Sequence, residues 1–269
     1  MPTSLSLMRP LTPSAARYHI ALSRVAFGRR LFRPEASPMG RHGVSVLRNF
    51  CTSRRVIVST LLHLDASPRN DRSHSRRLSA FFVQQWLERR PGDTVLYRDL
   101  RVFTPPHVNE DWIAAAFSPP DQRSPQLRQA LQLSDLLIDE FMSADVYVFG
   151  VPMSNFAAPA VFKAYIDNIV RVGRTFLYVP DDATAPYKPL VHGKRMFVLV
   201  SSGAAGYAPT GPMWPLNHLE PHLRSIFGFI GVSDVTFIYA GNDMSGGEKL
   251  ENAINEALAQ IRKTVRTAA

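Results

Sequence analysis

The chain has 269 residues, 45% of them hydrophobic, enough to bury the core of one domain or two. Its formal charge of +9 is unevenly held: residues 1–55 contain ten Arg, one Glu and neither Lys nor Asp, so the 214 residues after them balance 21 basic against 21 acidic side chains. The pI near 10 thus says nothing of the body's partners; the lone Cys51 excludes a disulfide framework, a Cys-ligated metal or a catalytic thiol in the body, and no apolar stretch reaches the roughly 18 residues of a membrane-spanning helix.

Residues 1–55 read as a basic arm with scattered Pro, isolated aromatics and no sustained apolar period, expected to be disordered apart from slight helical tendency near Tyr18 to Phe32. Three explanations compete for it. The preferred one is a start assigned upstream of the true one in a GC-rich gene, as 26 Arg against 5 Lys suggests, with Val58 as a candidate initiator. The others are an organelle transit peptide and an arm that contacts nucleic acid or anionic lipid. The body, residues 56–269, is expected to be a single cytoplasmic domain, with organelle import only if the arm is a transit peptide.

From Val56 through Leu64 an apolar run makes the first strand, and the polar loop Asp65 to Ser75 leads into a helix with Leu78, Phe81, Phe82, Trp86 and Leu87 on its buried face. Ser73 or Ser75 caps that helix. The hydroxyls of Ser67, Ser73 and Ser75 at a helix amino terminus also make an anion site, because unpaired N–H groups and the positive dipole end face the ligand. Simple capping is the commoner role, and the loop lacks both the glycines of a dinucleotide fingerprint and the GKS or GKT of a P-loop.

A second strand spans Thr94 to Leu100. The long Pro-containing connection after it, with Trp112 and Phe117, is expected to be functional or partly structured, an aromatic wall for a pocket. A helix capped near Ser124 follows. Val146, Tyr147, Val148, Phe149 and Val151 then form a central strand covered on both faces, stopped by Pro152, which cannot donate to a ladder. Met153, Ser154, Asn155 and Phe156 are a loop at its carboxyl end. Pro159 opens a helix at a first-turn position, Phe162, Ile166, Ile169 and Val170 form its apolar face, and Gly173 ends it.

Phe176 to Pro189 reads as irregular. Met196 to Val200 is a fourth strand, followed by Ser201, Ser202, Gly203, Ala204, Ala205 and Gly206, small residues that let backbone approach a planar ligand or that make a plain turn. Trp214 to Phe227 is a helix, Val235 to Tyr239 a fifth strand, and Leu250, Ile254, Leu258, Ile261 and Val265 the face of a last helix. His218 and His222 have metal-ligand spacing, but Pro221 lies between them and no acidic partner completes a motif, so no metal is expected.

Strand and helix alternate five times. The economical solution is an α/β three-layer sandwich with a five-stranded parallel sheet of order 2-1-3-4-5, a flavodoxin-like fold. Its switch point falls between the first and third strands, so the Ser67 and Ser73–Ser75 loop, the Met153–Phe156 loop and the Ser201–Gly206 loop converge on one crevice.

The text SPRNDRSHS, PMSNF with the following P-x-x-x-K-x-Y-x-D, RVGRTF, SSGAAG and FGFIG resembles the FMN-dependent NAD(P)H azoreductases, a flavodoxin-like quinone and azo-dye reductase family. The resemblance covers the chain from about Val58 to Val265 and is most specific from Pro152 to Phe176. It implies that Ser67, Ser73, His74 and Ser75 hold the FMN phosphate and ribityl region. It also implies that Pro152, Met153, Ser154, Asn155 and Phe156 meet the isoalloxazine, and that Ser201, Ser202, Gly203 and Ala204 border its other edge. NADH or NADPH as reductant, a quinone or azo acceptor, alternating hydride steps and a homodimer follow as family expectations. No side chain is expected to be catalytic, since the flavin N5 carries the chemistry. Ser154 departs from the aromatic residue usual in relatives, and Ser202 and Ala204 stand where relatives often have Arg and Gly.

Three other readings stand beside this one. A one-electron flavodoxin carrier shares fold and cofactor, but such carriers are strongly acidic and this body is neutral. A serine hydrolase using Ser154 or Ser202 needs a paired base, and no G-x-S-x-G elbow is present. A nucleic-acid module rests on the arm alone, and no nucleic-acid partner is expected for the body.

Overall fold

The computed structural model of the chain describes residues 58–269; the expectations for the basic arm, and for Val56 and Ile57 in the first strand, lie outside the described residues. In chain order come β1 (Thr60–Asp65), α1 (His74–Arg89), β2 (Thr94–Asp99), α2 (Glu110–Phe117), α3 (Pro125–Ser143), β3 (Val146–Pro152), α4 (Ala160–Ile169), β4 (Phe176–Tyr178), β5 (Tyr187–Pro189), β6 (Arg195–Ser201), α5 (Leu219–Ile230), β7 (Asp234–Ala240) and α6 (Gly247–Ala268). The five-stranded sheet has the order β2-β1-β3-β6-β7 and every neighbouring pair is parallel. Counting only its own strands, that is 2-1-3-4-5, the flavodoxin-like arrangement.

Alternation along the central strands builds two cores. In β3, Tyr147, Phe149 and Val151 face the α3, α4 and α5 layer, while Val146 and Val148 face α1 and α6; Met196, Val198 and Val200 of β6 take the first side, and Phe197 and Leu199 the second. Each fully buried side chain of this size contributes on the order of 1.5–3 kcal/mol. Phe162, Ile166 and Ile169 seal α4 onto the first face. That helix ends at Ile169, and Gly173, at φ 75°, lies in the turn beyond it.

Two segments carry more structure than periodicity suggests. The long connection after β2 contains α2, capped by the Asn109 side chain accepting from the Trp112 amide at 2.9 Å. Phe176 to Pro189 is not irregular: β4 and β5 form an antiparallel hairpin, whose turn is held by Asp182 Oδ1 accepting from the Thr184 and Ala185 amides at 3.1 and 3.0 Å. Each strand has three residues and the turn text is Pro- and Asp-rich, so neither a period nor a run betrays it. The expected helix over Trp214 to Phe227 divides at Asn217, whose Oδ1 accepts from the Leu219 and Glu220 amides and so starts α5.

Candidate functional site

The crevice opens at the carboxyl ends of β1, β3 and β6, and its lining includes Ser67, Pro68, Arg69, Ser73, His74, Pro152, Met153, Ser154, Pro159, Ser201, Ser202, Gly203 and Asp243. Its floor is built first by the approach of α1 to the sheet. Gly150 in β3 leaves the space: a Cβ there meets Asp65 Oδ1 at 2.4 Å, Ser79 Oγ at 2.8 Å and the Ser75 carbonyl at 3.0 Å.

At the start of α1 the Ser73 side chain accepts from the Arg76 amide at 3.3 Å, an N-cap, and its Oγ lies 3.2 Å from Ser75 Oγ. The His74 and Ser75 amides have no hydrogen-bond acceptor among the described residues, so the first turn keeps two donors facing the crevice end of the helix. The loop ahead of α1 is tied from behind. Arg76 Nη2 donates to the Ser67 carbonyl at 2.7 Å and also pairs with Asp99 of β2, while Asp65 accepts from Ser79 Oγ at 2.7 Å and from Tyr97 OH at 2.9 Å. Burial raises the Asp99 carboxyl, but the bonds from Arg76 and the Arg101 amide outweigh it and hold the group below its ordinary value. Burial, reinforced by the Asp65 charge and hydrogen bond, pushes the Tyr97 phenol well up, so it stays a neutral donor. His63, next to Asp65, is also pushed down by burial and is neutral.

The loop after β3 is a tight reversal. Ser154 N donates to the Ala157 carbonyl at 2.9 Å and Ala157 N returns to the Ser154 carbonyl at 3.0 Å, with Asn155 at φ 45° and Phe156 at φ 68° between them. Positive φ at both central residues is the type I′ pattern, which Asn tolerates and an aromatic residue adopts only under constraint. That constraint includes the His218 amide donating to the Phe156 carbonyl at 2.9 Å. The Asn155 and Phe156 amides take no acceptor among the described residues.

The far wall joins two loops. Met153 N donates to the Ser201 carbonyl (2.7 Å), and the segment after β7 is hydrogen-bonded along the one after β6: Asp243 N to the Ser202 carbonyl (3.2 Å) and Met244 N to the Gly203 carbonyl (3.0 Å). The Ser202 amide is spent on the Ala240 carbonyl and the Ser202 hydroxyl on the Ala204 carbonyl, so donors on this side must come from Gly203 onward. Asp243 reaches back across the mouth to Arg69 Nη1 at 2.8 Å and His74 Nε2 at 3.3 Å.

The model of a family described as having a flavodoxin-like fold matches residues 59–265. The FMN-dependent NADH:quinone oxidoreductase 2 of Trichormus variabilis is 49% identical over 208 residues, 77% of this chain and 99% of the relative. The FMN-dependent NAD(P)H:quinone oxidoreductase 1 of Pseudomonas aeruginosa is 41% identical over 212 residues, 78% of this chain and 100% of the relative. The chain belongs to the FMN-dependent NADH:quinone oxidoreductase family. A solved azoreductase from Bacillus anthracis matches it with a TM-score of 0.70 at 26% identity, covering 78% of this chain and 100% of that one.

Of the residues that sequence assigns to the flavin site of this quinone oxidoreductase family, Ser67, Ser73, His74, Pro152, Met153, Ser154, Ser201, Ser202 and Gly203 line one crevice. Ser75, Asn155, Phe156 and Ala204 do not line it: Ser75 is buried behind Ser73, and the other three are exposed beside the lining. Trp112 and Phe117 wall two other cavities instead. Sequence reasoning passed over Arg69 and Asp243. The signal for Asp243 was available, since the loop after a fifth parallel strand ends on the same sheet edge as the other three. The Asp65–Arg76–Asp99 network had no such signal, because its members come from β1, α1 and β2.

Proposed function

We propose that the protein is an FMN-dependent oxidoreductase that moves a hydride from NADH or NADPH to a quinone or azo compound in a ping-pong sequence, and that it works as a homodimer. The observation that carries this is the convergence, on one crevice at the sheet's switch point, of a capped helix start that brings Ser73 and His74 to the lining and a constrained turn that brings Ser154 to it, with the Asn155 and Phe156 amides, unpaired among the described residues, beside that lining. This donor set fits FMN. Ser67, Ser73, His74 and Ser75, with the first-turn amides of α1, hold the phosphate and ribityl end; the Asn155 and Phe156 amides meet the ring, with Ser154 at its acceptor side and Gly203 and Ala204 at its other edge. When bound, FMN supplies hydride acceptance and return at N5. The protein's own part is to orient the ring and leave one face open to the two substrates in turn. Relatives named as FMN-dependent quinone oxidoreductases, and a fold neighbour named as an azoreductase, support the same reading.

The purified protein is expected to show flavin absorption bands and to oxidise NADH when benzoquinone is added, with parallel lines in double-reciprocal plots. A colourless protein that FMN does not restore, or flavin reduction without turnover of benzoquinone, sinks the reading; the second outcome returns the chain to a flavodoxin-type carrier. Light scattering at twice the chain mass tests the dimer.

A further inference from the structure

We propose that the cavity between the α2–α3 connection, α3 and the turn after α4 is a second binding site, for a small aromatic carboxylate or sulfonate. It has a volume of about 370 Å³ and shares no lining residue with the crevice. Three guanidinium groups line it, from Arg123, Arg171 and Arg174, against one lining carboxylate, Asp135. Asp135 is already shared, accepting from both Arg171 and Arg174, and Arg174 takes Asp139 outside the lining as its second partner. Arg123 has no ion-pair partner among the described residues; its Nε donates to the Ser118 carbonyl at 3.1 Å.

Arg171 anchors the cluster from behind. Its side chain is 2% exposed, Nη1 donates to Ser134 Oγ at 2.8 Å, and its buried Nε has no hydrogen-bond partner. That nitrogen is closed off from the cavity as well as from water, so the donors open to an entering oxygen are the Nη nitrogens of Arg123, which make no hydrogen bond among the described residues. Burial lowers Arg171 below the ordinary guanidinium value, the Asp135 contacts fail to offset it, and Arg174 and Arg123 add like-charge repulsion. The site is therefore short of negative charge. Phe117, 74% exposed, and Pro119 and Pro120 supply the apolar wall beside these groups. A planar acid uses both halves, its oxygens on the guanidinium fork and its ring on the wall, whereas inorganic phosphate leaves the wall unused.

The test is calorimetric titration of the full chain in buffer containing FMN, with benzoate and benzenesulfonate as acids and benzamide as the uncharged control. Both acids are expected to bind one per chain, and benzamide at least about tenfold more weakly. Arg123→Gln is expected to weaken benzoate about tenfold with the melting temperature unchanged, and Arg123→Lys to restore part of it. Absence of heat at millimolar acid, benzamide binding equal to benzoate, an unaffected Arg123→Gln variant, or binding seen only when FMN is omitted each overturns the proposal.

Discussion

Ser73 and Ser75 occupy the place where a hydroxyl can serve a helix cap and an anion together, and their geometry separates the two roles. Ser73 accepts from the Arg76 amide, so its loss removes a cap, about 1 kcal/mol of stability. Ser75 Oγ has Ser73 Oγ as its neighbour and no capping bond. Ser73 lines the crevice and Ser75 stands behind it, so Ser73→Ala is expected to lower FMN affinity about tenfold together with the melting temperature, and Ser75→Ala to lower FMN affinity less while barely moving the melting temperature; flavin fluorescence titration with a thermal melt distinguishes them. Across the mouth, Asp243 sets a carboxylate against Arg69 and His74, where a phosphate competes with it. Asp243→Asn should tighten FMN several-fold, by the roughly 1 kcal/mol of a partly exposed pair, and the gain should shrink at high salt. Ser154 is exposed on the crevice lining, at the position where the family resemblance leads one to expect an aromatic ring. Ser154→Tyr is expected to raise affinity for flat quinones or dyes several-fold, through an aromatic contact of about 0.5–1.5 kcal/mol. Flavin reduction by NADH should stay nearly constant, which stopped-flow measurement of the two half-reactions checks.

At the scale of elements, the crevice depends on how closely α1 lies on β1 and β3. Gly150 permits that approach, and the Asp65–Ser79 bond and the Arg76 bridge from the Ser67 carbonyl to Asp99 lock it. Gly150→Ala adds a Cβ into this contact, and the atoms it meets are a carboxylate held at two points and helix backbone, not the free end of a flexible chain. A loss of about 3 kcal/mol is expected, together with weaker FMN retention because the α1 start moves away from the β3 turn. Denaturant unfolding followed by both tryptophan and flavin signals measures the two effects in one experiment. The turn itself stores strain in Phe156, and a glycine there relieves it while freeing the backbone, so Phe156→Gly should leave stability almost unchanged and loosen the flavin.

For the whole molecule, stability is expected to fall on acidification in two stages. His63, buried and pushed below its ordinary value of 6.5, stays neutral in the fold while the unfolded chain takes up a proton. Its contribution is complete above that value and is lost as pH drops through it toward the lowered folded value, with a slope of at most about 1.4 kcal/mol per pH unit. His222, partly buried and also lowered, adds a smaller share. Asp93 and Asp99, held below the ordinary 3.8, contribute above that value and are lost as pH falls through their depressed folded values. Melting temperature against pH should therefore show a first decline below about pH 6.5 that His63→Gln largely removes, and a second near pH 4 that it does not. The charge balance of the body makes a separate prediction: a chain starting at Val58 should bind FMN and turn over benzoquinone as the full chain does.

Sequence by itself determined the sheet, because its strands are runs of Val, Ile, Leu and aromatic residues whose alternation serves two faces, and because helices between them admit only right-handed parallel crossovers. It also determined which three loops meet, since parallel strands deliver their carboxyl ends to one edge. Tertiary structure decided the rest. The antiparallel β4–β5 hairpin is held by contacts such as Phe176 and Tyr187 on Phe229, which lies 53 and 42 positions further along the chain. The division of labour between Ser73 and Ser75 turns on an orientation of about one helical step, and the bridge from Asp243 to Arg69 spans 174 residues of chain. A one-dimensional period carries none of these, because each is a distance between side chains that become neighbours when α1 and β7 take their places on the sheet.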